Sequence, residues 1–139
     1  VIISIFQRTE KVPDMERLRM INSIYSSDSL IRESMADIIG EKHLKSALNT
    51  LYTRLEIEEN NYVTRSIVEA IGKIDGIQGI QKLLTWFEKN KNRFEESKYY
   101  GIYNHMAYAL QRMDTSDEKN YFKEFINKYS TKITLLGMQ

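Results

Sequence analysis

The chain has no cysteine, one proline (Pro13), one tryptophan (Trp86) and six glycines in 139 residues. Without cysteine there is no disulfide, no thiolate metal ligand and no sulfur nucleophile, a usage that fits a reducing compartment, so a cytoplasmic protein is the expectation. So few prolines and glycines leave little to interrupt long helices. Neither sign of charge is in excess: 20 Lys and Arg against 19 Asp and Glu leave +1, which argues against a dedicated polyanion binder while allowing a local basic face. No apolar run approaches the ~20 residues that span a bilayer. The opening VIISIF has neither a start methionine nor a basic stretch, so a signal peptide is not expected and Val1 reads as a cut point within a longer protein.

What is present is hydrophobic patterning with a helical period. In Asn61 to Trp86, Val63, Ile67, Ala70, Ile71 and Ile74 fall on one side of a helix, and after a glycine-containing turn Ile77, Ile80, Leu84 and Phe87 do the same. The stretch predicts a helix, a turn and a second helix sharing one core. Upstream, Val1, Ile2, Ile5 and Phe6 suit the last two turns of a helix, and Pro13 with Asp14 opens a helix whose apolar stripe is Met15, Leu18, Ile21 and Tyr25. Ser26 to Ser29 can cap the next helix, which presents Ile31, Met35, Ile38 and Ile39 and stops at Gly40. A helix from about Glu41 to Leu55 turns Leu44, Ala47, Leu48, Leu51 and Leu55 inward, and the acidic EIEENN then breaks the pattern. The charged segment 88–97 reads as an inserted loop. Beyond it Tyr99, Tyr103, Met106, Leu110 and Met113 point to a core, Thr115 and Glu118 have capping-box spacing, and Tyr121, Phe122, Phe125, Ile126 and Tyr129 line a last helix.

Gly40 and Gly72 are 32 residues apart; laid over each other they align Ile31 with Val63, Ser34 with Ser66, Met35 with Ile67 and Ile39 with Ile71. Dropping one residue in the turn brings Leu44 onto Ile77, Ala47 onto Ile80 and Leu51 onto Leu84. Two helices recurring at that period indicate a stack of helical hairpins, because one pair cannot cover its own apolar face. The units run over 1–25, 28–57, 61–87 and 97–129 of a single domain, with 130–139 as the start of a truncated next element.

The segment VTRSIVEAIGKID (63–75), with IRESMADIIGEKH (31–43) as a weaker copy, resembles a HEAT repeat of the short bacterial type. The resemblance covers about residues 30–87; in the third pair Gln111 stands where the glycine does and the inserted loop lengthens the unit. It implies an all-α, right-handed α-solenoid of about three to four antiparallel hairpins, a curved superhelix that presents a surface to a partner, usually a protein.

Candidate chemistry is sparse. His43 and His105 lie in no metal-ligand spacing, and the His-Glu pairs of di-iron HEAT enzymes do not occur, so neither catalysis nor a metal or cofactor is expected. Gly72, Gly76 and Gly79 follow a helix rather than a strand, which favours a turn and close helix packing over a phosphate loop. Tyr100 and Tyr108 lie off the core stripe, and Trp86 sits on the flank of its helix, as aromatic contact candidates. First helices carry both signs (Arg32, Glu33, Asp37; Arg65, Glu69, Lys73). Second helices carry lysine and amide opposite their apolar stripes: Lys42, Ser46, Asn49 and Thr53; Gln78, Lys82 and Lys89; Asn120, Lys123 and Asn127. In a HEAT stack the second helices line the concave side. The expectation is a non-enzymatic scaffold binding an acidic peptide or protein surface there, through Lys42, Asn49, Lys82 and Lys123 with Trp86 and Tyr100. The alternatives are nucleic-acid binding, as in HEAT-like DNA glycosylases, and a spacer or sensor arm beside other domains. An ordinary solvated face explains the lysines equally well.

Overall fold

A computed structural model describes residues 12–90, 96–113 and 115–133, with side chains omitted for 96–100. Among these residues the chain is all-α, with six helices: α1 (Asp14–Ser23), α2 (Ser29–Glu41), α3 (Leu48–Ile57), α4 (Asn61–Asn90), α5 (Glu96–Gln111) and α6 (Ser116–Lys128), and a 3₁₀ turn at Lys45–Ala47. The readings placed on Val1 to Phe6 and on 134–139 lie outside the described residues, as does the side chain of Tyr99. So does the centre of the proposed inserted loop; α4 continues through 88–90 and α5 begins at Glu96, so helix occupies its flanks.

The expected hairpin at Asn61 to Trp86 is present. α4 is broken at Gly76, where φ is 65° and ψ is −142°, a region essentially open to glycine alone. Val63, Ile67, Ala70 and Ile71 on one side of the break, and Ile80, Leu83, Trp86 and Phe87 on the other, are buried. Asn60 caps the start, its Oδ1 accepting from the Tyr62 and Val63 amides, and Asp28 caps α2 through the Leu30 amide. At α6 the Thr115 hydroxyl accepts from the Glu118 amide at 3.1 Å, the cap its spacing predicted, and also donates to the Glu118 carboxylate at 2.6 Å.

Three segments run side by side in the same direction: α2, the first half of α4, and α5. Their spacing is set by glycine. A Cβ on Gly40 would stand 3.0 Å from Ala70 Cα, and one on Gly72 would stand 2.6 Å from Ala109 Cβ. Gly40 and Gly72 lie 32 residues apart, Ala70 stands two residues before Gly72, and Ala109 two residues before Gln111. The same contact is therefore made twice, each first helix resting its glycine on an alanine of the next. α3 and the second half of α4 return antiparallel and close the core, with Leu51, Leu55, Ile80 and Leu83 at 0–1% exposure. Phe87 meets Tyr103 edge-on at 5.2 Å, and Tyr129 packs on Tyr103 and Phe125 at 4.9 and 4.8 Å, which anchors α6 to α5.

Four sequence expectations are corrected. Gly40 does not stop α2: it is buried inside the helix, and the reversal comes at His43, which takes φ 50°. Glu41 ends α2 rather than opening the next helix, and the 3₁₀ turn precedes α3. The buried side of α2 is Arg32, Ala36, Ile39 and Gly40, while Ile31 and Ile38 are 43% and 37% exposed. In α1 the buried residue is Met20, with Ile24 just past the end, and Met15, Leu18 and Tyr25 face outward.

Candidate interaction surfaces

The most buried charge lies in the stretch EIEENN. Glu58 is fully buried and is held between helices by four donors. Arg32 of α2 gives a two-pronged pair, Nε to Oε1 at 2.8 Å and Nη2 to Oε2 at 2.9 Å. Arg54 of α3 donates its Nε to Oε1 at 2.9 Å, and the Asn60 amide donates to Oε2 at 3.1 Å. The remaining Arg32 arm reaches the Ser26 carbonyl at 2.8 Å. Burial alone would push the Glu58 carboxyl up; the two guanidiniums and the amide overturn that and hold it at about 2. The cluster joins the start of α2, the end of α3 and the cap of α4. Arg32 had read as an exposed first-helix charge, and is instead 9% exposed. Its spacing to Ala36 and Ile39 placed it on the same buried face, and Arg54 stands four residues before Glu58; together these were the available signals.

A second polar chain crosses the three parallel helices. Lys73 Nζ bonds Glu41 at 2.9 Å and Glu69 at 3.0 Å, and His105 Nδ1 donates to the other Glu69 oxygen at 2.9 Å. Burial raises the Glu69 carboxyl, and these two partners outweigh it and leave the group below the ordinary carboxylate range. Lys73 also faces the Tyr108 ring, on which the Arg112 guanidinium stacks at 4.6 Å while bonding its hydroxyl. The i, i+4 pair Glu69–Lys73 is formed as its order favours. It is not a solvated pair, however: the Lys73 side chain is 8% exposed and serves to join α2 to α4. Arg65 likewise lies across Gly101 of α5, its Nε 2.8 Å from where a Cβ would stand.

All ten residues singled out by pattern are exposed (Lys42, Ser46, Asn49, Thr53, Gln78, Lys82, Lys89, Asn120, Lys123 and Asn127), but only eight stand on second helices: Lys42 is the C-cap of α2 and Ser46 lies in the 3₁₀ turn, because α2 runs on to Glu41 before the chain reverses. Acids stand among these residues too: Glu56, Glu88 and Glu124 are exposed on the same helices, and Asp75 lies beside Lys82. The Tyr52 hydroxyl donates to Asp75 at 2.7 Å, and Lys82 Nζ sits 3.6 Å from the same carboxylate and 5.3 Å from the Tyr52 ring centroid. Burial first, and the Asp75 bond second, push the Tyr52 hydroxyl up, so it stays a donor. Lys82 thus spends part of its charge inside the molecule. Trp86 is 6% exposed within the core cluster and presents little surface to a partner. The Tyr100 side chain lies outside the described residues. No group of three or more His, Asp or Glu able to hold a metal occurs among the described residues, and no helix there is long and apolar enough to cross a membrane. Comparison with protein-family models, curated proteins and solved structures finds no match to this chain.

Proposed function

We propose that the chain is a segment of a right-handed, HEAT-like α-solenoid acting as a non-catalytic protein-binding scaffold, with the second-helix face as its concave binding side. The carrying observation is the division of labour between helices. First helices spend their charges on one another (Glu41–Lys73–Glu69–His105), whereas the second helices keep a row of lysine and amide side chains in solvent. The glycine-on-alanine contact made at both junctions of first helices supports a repeating stack over an irregular bundle. Lys123 is the better anchor for an acidic partner, because Lys82 is shared with Asp75 and Lys42 stands at the end of α2 rather than on a second helix.

The test retains proteins from a lysate of the source cell on the whole chain and on a Lys42→Glu, Asn49→Glu, Lys123→Glu variant, with far-UV circular dichroism to verify equal helix content. A protein held by the wild type and lost by the variant supports the reading. Equal retention by both moves binding off this face. Recovery of nucleic acid released by raised salt turns the assignment to nucleic-acid binding.

A further inference from the structure

The outward face of α2 carries an apolar strip that its counterpart in the next unit buries. Val63, Ser66 and Ala70 of α4 are 1%, 8% and 2% exposed, because α2 lies over them with Gly40 on Ala70. Their repeat equivalents on α2 are Ile31, Ser34 and Ile38. Here Ile31 is 43% and Ile38 37% exposed, Ser34 is exposed, and the adjoining Leu30 is 70% exposed. A surface built to the same register as an internal helix–helix interface is thus open to solvent.

Charge decides what it fits. Asp37 is exposed beside Ile38, and Glu41 is 62% exposed despite its bond to Lys73. Of the cations near the strip, Arg32 is turned inward onto Glu58 and Lys42 stands exposed at the C-cap, one residue past Glu41, so Asp37 and Glu41 still outnumber it. A second copy of the chain would bring these acids against their own kind, which disfavours self-pairing through this face.

We propose that this strip is a docking surface for a basic amphipathic α-helix of a partner protein. The helix lies along α2 as α2 lies along α4. It sets an apolar stripe with a small residue on Leu30, Ile31 and Ile38, and lysine or arginine against Asp37 and Glu41. This surface lies on a first helix with Asp37 and Glu41 beside it, apart from Lys82 and Lys123 of the second helices, and does not depend on them.

The probe is a fluorescein-labelled helical peptide of leucine and alanine with lysine flanks, titrated by anisotropy against the full chain. A matched peptide with glutamate flanks is the control. The wild type should bind the lysine peptide and discriminate against the glutamate one. Ile31→Ser with Ile38→Ser should weaken binding by about tenfold or more, and Asp37→Lys should reverse the preference between peptides. All three substituted residues are solvent-exposed, so unfolding is not expected, and the melting curve of each variant checks this. Three outcomes overturn the proposal. The first is no binding by the wild type. The second is unchanged binding by the double serine variant. The third is light scattering that shows a wild-type dimer abolished by the same pair, which would give the face to self-association. If a soluble spin probe fails to broaden the Ile31 and Ile38 methyl signals of the isolated monomer, the chain covers the strip itself and the proposal also falls.

Discussion

Glu58→Gln preserves the shape of the side chain and removes its charge, leaving Arg32 and Arg54 facing each other across a buried amide. Two effects set the size of the loss. Holding the carboxyl at about 2 rather than at the ordinary 4.5, at ~1.4 kcal/mol per pH unit, is worth about 3 kcal/mol. This is a ceiling, because the guanidinium partners keep 11% and 17% of their side-chain surface in water and are partly screened. Independently, removing one member of a buried pair costs ~3–5 kcal/mol. Both lie within reach of a domain whose whole stability is ~5–15 kcal/mol. The depressed carboxyl contributes fully above pH ~4.5, and its contribution disappears as pH falls toward 2. Urea unfolding followed by circular dichroism at pH 7, 5, 4 and 3 separates the two effects. The variant should be weaker by about 3 kcal/mol at pH 7 and should converge on the wild type in acid. A loss below ~1 kcal/mol at pH 7, the size of an exposed pair, or parallel curves throughout, would refute the buried-hub account.

Gly72→Ala should cost about 1–3 kcal/mol by overpacking, since the new methyl would stand 2.6 Å from Ala109 Cβ and 3.1 Å from Ile80 Cδ1. Ala109→Gly in the same chain should recover part of that loss, and a thermal double-mutant cycle with no coupling between the two sites counts against the contact. Gly76→Ala should cost about 1–3 kcal/mol through backbone strain alone, because nothing crowds its Cβ position closer than 4.0 Å. A melting temperature unmoved by that substitution would mean that the turn relaxes freely.

The hairpin from Asn61 to Trp86, the inward residues of α3 and the caps at Asp28 and Thr115 were legible because large apolar side chains and capping spacings mark them directly. α1 and α2 were both misread, α1 because Met20 and Ile24 rather than Met15, Leu18 and Tyr25 turn inward, and for α2 the reason is physical. Two helices that approach at a glycine bury small residues, so the face of α2 against α4 is Ala36 and Gly40 while the larger Ile31 and Ile38 point away. A hydrophobic period weighted by side-chain size then falls on the wrong side. Gly40 was mistaken for a stop on the same ground, since a glycine for close approach and a glycine for a reversal look alike in one sequence; the reversal at His43 left no such mark. The Glu58 hub was illegible as a whole because its arginines are 26 and 4 residues away, and only the nearer one shares its turn of helix. The second-helix row was read correctly as exposed, but its pairing of Lys82 with Asp75 depends on where the break at Gly76 aims the chain.

Helical arrays usually melt from their ends, one unit at a time, because each unit touches only its neighbours. For the array proposed above, the Glu58 cluster changes that expectation. Its donors come from α2, α3 and the α4 cap, so the α2–α3 hairpin cannot leave α4 without stranding a buried charge. Fraying is thereby made costly at the boundary where an array is ordinarily weakest. Amides of α2 and of the first half of α4 should exchange with solvent together, as one cooperative block rather than in sequence.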